Sequence, residues 1–136
     1  MTDETAGEVQ IVDESHIVTV RKTIREAATR LGFGLTDVTR IVTAGSELAR
    51  NVFHYAGSGV MRWNDVENGD RIGIQLVFED HGPGIADIAQ ALEPGYSTSG
   101  GVGMGLPGTR RLMDEMEIQS QPGEGTTVTV RKWRRR

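Results

Sequence analysis

"GVGMGLPG", residues 101–108, carries the spacing G-x-G-x-x-G at Gly103, Gly105 and Gly108. Dinucleotide-binding Rossmann loops share that spacing, and so does the phosphate-covering loop of protein kinases. Context decides between them. A Rossmann loop follows a strand directly and opens a helix, with an acid about twenty residues further on at the end of the next strand. Here a polar loop precedes Gly103, residue 107 is Pro, and Glu124 falls in a turn. The protein-kinase pattern needs a strand lysine, H-R-D and D-F-G after the loop, and none follows. A P-loop needs Gly-Lys-Ser/Thr, whereas the chain's two lysines, Lys22 and Lys132, adjoin no glycine loop. The glycines still let the backbone run close to a ligand. Exposed amides ahead of a helix starting near Pro107 favour an anion. Residues 93–108 hold six glycines and two prolines, and a loop of that length in a compact domain is a lid, a binding loop or a disordered segment.

Outward from this loop, hydrophobic spacing sets the elements. Residues 8–12 alternate as a short strand. Asp13 or Ser15 caps a helix running to Leu31, with Ile17, Val20, Ile24, Ala27, Ala28 and Leu31 at helical spacing and Gly32 as its stop. Thr36 caps a second helix over 37–56, striped by Val38, Ile41, Val42, Leu48, Ala49, Val52 and Phe53. Strands over 59–66 and 71–80 flank an Asn-Gly hairpin signal. A short helix over 85–92, the loop, a helix over about 107–117 and a closing hairpin, 117–121 and 126–133, complete the chain. This order is not the strand–helix alternation of a doubly wound fold. It predicts an α/β (α+β) two-layer sandwich: a mixed, largely antiparallel sheet with helices on one face. One domain spans 1–136, with residues 1–7 flexible, a lid over 93–106 and a basic tail over 131–136.

Composition narrows the class. Of 136 residues, 37% are hydrophobic and 25% charged, values of a folded, water-facing domain rather than a disordered one. No apolar run approaches a membrane span, and the acidic start "MTDETAGEVQ" is not a secretory signal. The absence of cysteine removes thiol catalysis and Cys-based zinc sites. A cytoplasmic protein with no membrane partner is expected. The end "RKWRRR" has five bases in six residues, but no basic stripe elsewhere supports nucleic-acid binding.

Three further clusters accompany the glycine loop. "SELARN" puts Glu47 and Asn51 four residues apart on one helical face, a carboxylate suited to general-base work and an amide oxygen suited to Mg²⁺. "DHGPG" ends a strand on Asp80 and follows it with Gly82 and Gly84, so that a carboxylate can enter a pocket and accept from an adenine amine. "GEGT", residues 123–126, leads into the last strand. Singly, each reads equally as an exposed polar face, an ordinary turn or a hairpin.

Together and in this order, "E47-x-x-x-N51", "D80-H-G-P-G84", "G101-V-G-M-G105" and "G123-E-G-T126" resemble the N, G1, G2 and G3 boxes of the GHKL (Bergerat-fold) ATPase/kinase superfamily. The resemblance covers residues 8–133, and within the superfamily the chain looks most like the small serine kinases that regulate bacterial sigma factors. The resemblance implies ATP and Mg²⁺ as cofactors. Asn51 would hold the Mg²⁺, Glu47 would be the general base, and Asp80 would accept from adenine, with Thr126 helping to hold Asp80 and a water there. Gly82, Gly84 and Ile85 would pass close to the base. Ser97, Thr98, Gly101, Gly103, Gly105 and Leu106 would belong to the lid over the phosphates. Since Glu93 through Thr109 contain no Arg or Lys, Arg50 and Arg110 are the candidates for neutralising phosphate. The implied activity is that of an ATP-dependent serine/threonine protein kinase in a stressosome-like partner-switching pathway. It would phosphorylate a STAS-domain antagonist and activate a PPM-type phosphatase by binding. The alternative is an ATP/ADP-binding anti-sigma factor-type interaction module.

Overall fold

The computed structural model describes residues 4–85, 92 and 105–134. In chain order they form β1 (Ala6–Ile11), α1 (His16–Arg30), α2 (Leu35–Ala56), β2 (Gly59–Asn68), β3 (Arg71–Asp80), α3 (Gly105–Leu112), β4 (Glu115–Ser120) and β5 (Thr126–Trp133). The strands lie in the order β1-β2-β3-β5-β4, and all four pairings are antiparallel. The last hairpin is thus inserted so that β5, not β4, joins the sheet at β3.

Each strand alternates, and the register aligns the apolar positions into rows. One row, Val9–Met61–Phe78–Val128–Ile118, crosses all five strands, and its three central members are buried. The helices cover this face. Ile17, Val20, Ile24, Ala27 and Ala28 of α1 are buried, as are Val38, Ile41, Val42, Leu48, Ala49 and Val52 of α2, one stripe per helix as amphipathic spacing requires. The other face is polar. Gln75 donates to Asn64 at 3.2 Å, and Arg131 donates to Gln75 at 2.7 Å and to Glu115 at 3.1 Å. The expected two-layer sandwich, with helices on one face, is the fold observed, but the sheet of the described strands is wholly antiparallel rather than mixed.

Several boundaries differ from expectation, each for a local reason. The first strand starts inside the stretch expected to be flexible: Asp65 donates to the Thr5 carbonyl, and Ala6 and Gly7 pair with Asn64 and Trp63. Gly7 fits because a Cβ there would stand 2.8 Å from the Trp63 indole nitrogen. The second helix starts at Leu35, with Gly34 extended before it (φ −70°, ψ 164°) in place of a Thr36 cap. The third helix begins at Gly105, so Gly105 and Leu106 are its first turn rather than lid, and Pro107 sits where a missing N–H costs nothing. It stops at Leu112, because Lys132 takes the Leu112 carbonyl at 2.9 Å and Asp114 already donates to Arg131 across the sheet. Finally, Arg131, Lys132 and Trp133 belong to β5, as the strand expected over 126–133 requires and the overlapping basic tail over 131–136 does not, and Arg134 donates to the Leu31 carbonyl at 3.0 Å. The short helix expected over 85–92 lies outside the described residues except for Ile85 and Leu92.

Candidate active site

Asp80 is the last residue of β3. Strand alternation puts it on the same face as Leu76 and Phe78, beneath the helices. Its row neighbours are Gly59 on β2, Thr126 on β5 and, one strand further, Ser120 on β4. The C-terminal part of α2 runs over this row: a Cβ on Gly59 would stand 2.5 Å from Val52 Cγ1, and one on Gly82 would stand 2.7 Å from Ala56 Cβ. Asp80 Oδ1 accepts from the Gly82 amide at 2.9 Å, and no hydrogen bond among the described residues engages Oδ2. The carboxylate is therefore oriented by its own turn and keeps one acceptor oxygen.

The turn after Asp80 is fastened to the β4–β5 turn. Gly84 has φ +78°, and a Cβ there would overlap the Gln121 carbonyl oxygen. Gly125 has φ +85°, and a Cβ there would overlap the Asp80 carbonyl oxygen and stand 2.8 Å from His81 Cα. Only glycine combines that conformation with that approach. The Gly123 amide donates to the Pro83 carbonyl at 2.7 Å.

Ser120 completes the link, and the sequence reading did not single it out. Its hydroxyl accepts from the Ile85 amide at 2.7 Å, donates to the Gly125 carbonyl at 2.9 Å and lies 2.8 Å from Thr126 Oγ1. A serine hydroxyl has one proton. With that proton on Gly125, Thr126 must donate to Ser120, which leaves Thr126 Oγ1 an acceptor toward anything further. The signal for Ser120 was its place in the alternation Met116–Ile118–Ser120: a polar side chain at an inward position needs a partner.

Glu47 and Asn51 lie on α2, four and five residues respectively ahead of Asn51 and Ala56; the latter is the residue that touches the Asp80 turn. The Glu47 side chain is 13% exposed, and its Oε1 accepts from Arg50 Nη1 at 2.6 Å, with Arg50 itself 43% exposed. On the other side α2 packs against α3. There the buried Thr109 hydroxyl donates back to the Gly105 carbonyl at 3.0 Å, and Leu106 packs on the core. Arg110 is exposed. Helix α2 thus has the Asp80 turn at its C-terminal end and α3 along its flank. Ser97, Thr98, Gly101 and Gly103 lie outside the described residues. His54 meets Tyr55 edge-on, with ring centroids 5.7 Å apart. His81 lines a hollow beside Glu8, Arg62 and Glu79, whose side chains project to the polar side of the sheet.

Asp80 keeps one acceptor oxygen that a ligand's donor could meet, and Gly82, Gly84 and Gly125 let the backbone pack closely around it. Among the described residues no group of three or more His, Cys, Asp or Glu is placed to hold a metal ion. The Asn51 side-chain amide oxygen is of the oxygen type that a hard cation such as Mg²⁺ can take as a ligand. No helix of the described residues is long and apolar enough to cross a membrane.

Comparison with known proteins places the fold in a family. Residues 12–132 match the histidine kinase-like ATPase domain family. The chain is 49% identical over 127 residues to the serine/threonine-protein kinase RsbT of Bacillus subtilis (strain 168), covering 93% of this chain and 96% of that protein. It is 32% identical over 119 residues to the anti-sigma F factor of Thermoanaerobacter sp. (strain X514), covering 83% and 82%. Among solved structures, the RsbU and RsbW domains of a Mycobacterium tuberculosis protein superpose with a TM-score of 0.62 at 21% identity, over 98% of this chain and 34% of that one. The chain belongs to the histidine kinase-like (GHKL) ATPase family. Within it, the chain is a serine/threonine kinase of the kind that RsbT represents.

Proposed function

We propose that this chain transfers the γ-phosphoryl group of Mg·ATP to a serine or threonine hydroxyl of a STAS-domain antagonist. In this reading it acts in the cytoplasm, in a partner-switching pathway that governs a sigma factor, and activates a PPM-type phosphatase by binding it. The observation that carries the reading is the 49% identity, over nearly the full length of both chains, to a serine/threonine kinase.

Each site residue then has a role. Asp80, oriented by the Gly82 amide, accepts the adenine amine. Thr126, acting as an acceptor, holds a water or a second donor of the base. Asn51 holds Mg²⁺, which supplies neutralisation of phosphate charge when bound. Gly105, at the head of α3, adjoins the lid over the phosphates. Glu47 takes the proton from the attacking hydroxyl. The new bond joins that oxygen to the γ-phosphorus, the bond to the bridging oxygen breaks, and ADP leaves. Such transfers depend on positioning and charge neutralisation more than on covalent help.

The likeness to an anti-sigma F factor supports a second reading, in which nucleotide-dependent binding matters and turnover does not. Glu47→Gln separates the two. Incubating extract partners with γ-labelled ATP and Mg²⁺ should label a partner on Ser or Thr with the native chain. The variant should lose at least about 100-fold of that rate, the usual contribution of a general base, while nucleotide affinity stays within about twofold. Partner control that persists without transfer favours the second reading.

A further inference from the structure

Arg50 is the only Arg or Lys between Arg40 and Arg62, and the structure directs it at Glu47. Its Nη1 stands 2.6 Å from Glu47 Oε1, three residues back along α2. No hydrogen bond among the described residues engages Glu47 Oε2. The arginine is 43% exposed and the glutamate 13%, so the pair joins a half-exposed cation to a largely covered anion. An ion pair with one exposed member contributes little to stability. What it changes is geometry. A glutamate rotates about three side-chain bonds, and a guanidinium on one oxygen fixes the plane of the carboxylate and leaves the other oxygen to act.

We propose that Arg50 is the positioning residue of the general base: it holds Glu47 Oε1, so that Oε2 is the oxygen that receives the hydroxyl proton. This rests on the reading of Glu47 as the base. It assigns Arg50 to the base rather than to the terminal phosphate. The two roles predict different losses: an arginine on the base sets kcat, and one on the terminal phosphate sets the preference for a triphosphate over a diphosphate.

The test uses the full chain and two readouts: calorimetry with AMP-PNP and with ADP in Mg²⁺, and steady-state phosphate release from Mg·ATP with water as acceptor. For Arg50→Met, kcat should fall about tenfold to a hundredfold, the usual effect of a misplaced catalytic group. KM for ATP and the AMP-PNP-to-ADP affinity ratio should stay within about twofold. Arg50→Lys should recover part of kcat. In a Glu47→Gln background, Arg50→Met should change nothing more, since there is no base left to position. A tenfold drop in AMP-PNP affinity with ADP affinity unchanged would overturn the proposal, because Arg50 would then serve the phosphate. So would a kcat loss that persists undiminished in Glu47→Gln. A measurable native rate that Glu47→Gln leaves as it was overturns the base assignment instead, and the affinity arm then decides the place of Arg50 alone.

Discussion

The β4–β5 turn offers a controlled perturbation of the proposed nucleotide site, because two of its glycines differ in one respect. Gly123 has φ +81° and Gly125 has φ +85°, so alanine at either must take a left-handed backbone conformation. That costs about 1–2 kcal/mol per residue. At Gly123 the added Cβ meets nothing within 4 Å, and the backbone term is the whole effect. At Gly125 the Cβ overlaps the Asp80 carbonyl oxygen and stands 2.8 Å from His81 Cα and 3.0 Å from the Asp80 carbonyl carbon. All three are backbone atoms, so no side-chain rotation relieves the contact and β3 must move against β5. Forced overpacking of this kind adds about 1–3 kcal/mol. Gly123→Ala should therefore lose about 1–2 kcal/mol by urea denaturation, and Gly125→Ala about 2–5 kcal/mol, with a melting temperature lower by about 3–5 °C per kcal/mol for a chain of this size. The same displacement falls on Asp80, so calorimetric ADP affinity should drop at least about tenfold in Gly125→Ala and stay within about twofold in Gly123→Ala. Equal stability losses at the two positions, or ADP affinity unchanged in a destabilised Gly125→Ala, would refute the idea that this turn sets the position of Asp80.

Two other perturbations follow from the same geometry. Ser120→Ala leaves the Ile85 amide, the Gly125 carbonyl and the Thr126 hydroxyl without the partner they share. It should cost about 1–3 kcal/mol in urea denaturation and weaken ADP binding, whereas a neutral effect on both would mean that the two turns are held without it. Glu115 accepts from the Trp133 indole at 2.6 Å, and that bond, ahead of Arg131, holds its carboxyl below the ordinary value of 4.5. A carboxyl depressed in the folded state contributes stability that is present above 4.5 and lost as pH falls through the folded value. Native protein should thus exceed Glu115→Gln in melting temperature at neutral pH, with the gap closing in the acid range below 4.5; a gap independent of pH would point to packing instead.

How much of this was legible in the sequence depended on whether the determining partner was near in the chain. The stripes of α1 and α2 follow from spacing within each helix, and burial at Ile24, Ile41 and Leu48 agrees with them. The Asn-Gly hairpin between β2 and β3 follows from its turn residues. Ser120 did not stand out, because its partners Ile85, Gly125 and Thr126 meet it only once β5 lies between β3 and β4. Composition marks "RKWRRR" as a tail, while its first three residues also close the last strand. Alternation in "TTVTVRKW" continues through it, and Lys132, 4% exposed, occupies an inward position opposite Ile74. Its ammonium is tolerated there because the C-terminal carbonyl of α3 awaits a donor, a fact that appears only when α3 is placed over β5.

Helix α2 is held at both ends by contacts that also bound the proposed site, and this makes the separate motifs one device. At its first turn, Asp37 is 8% exposed; it pairs with Arg40 at 3.1 Å and lies 4.0 Å from Lys132. Lys132 in turn closes α3 at Leu112 and stands 3.6 Å from Asp114. At its last turn, Ala56 lies against Gly82, whose amide orients Asp80. Glu47 and Asn51 stand between these two anchors, on a helix whose flank carries α3 and, through Gly105, adjoins the glycine-rich stretch. A rigid element of this kind places side chains more accurately than loops do. The proposed adenine acceptor, base and metal ligand, and the helix behind the glycines, are all referred to α2. The glycine spacing at 103–108 therefore takes its meaning from α2, and not from a strand before it as in a dinucleotide fold.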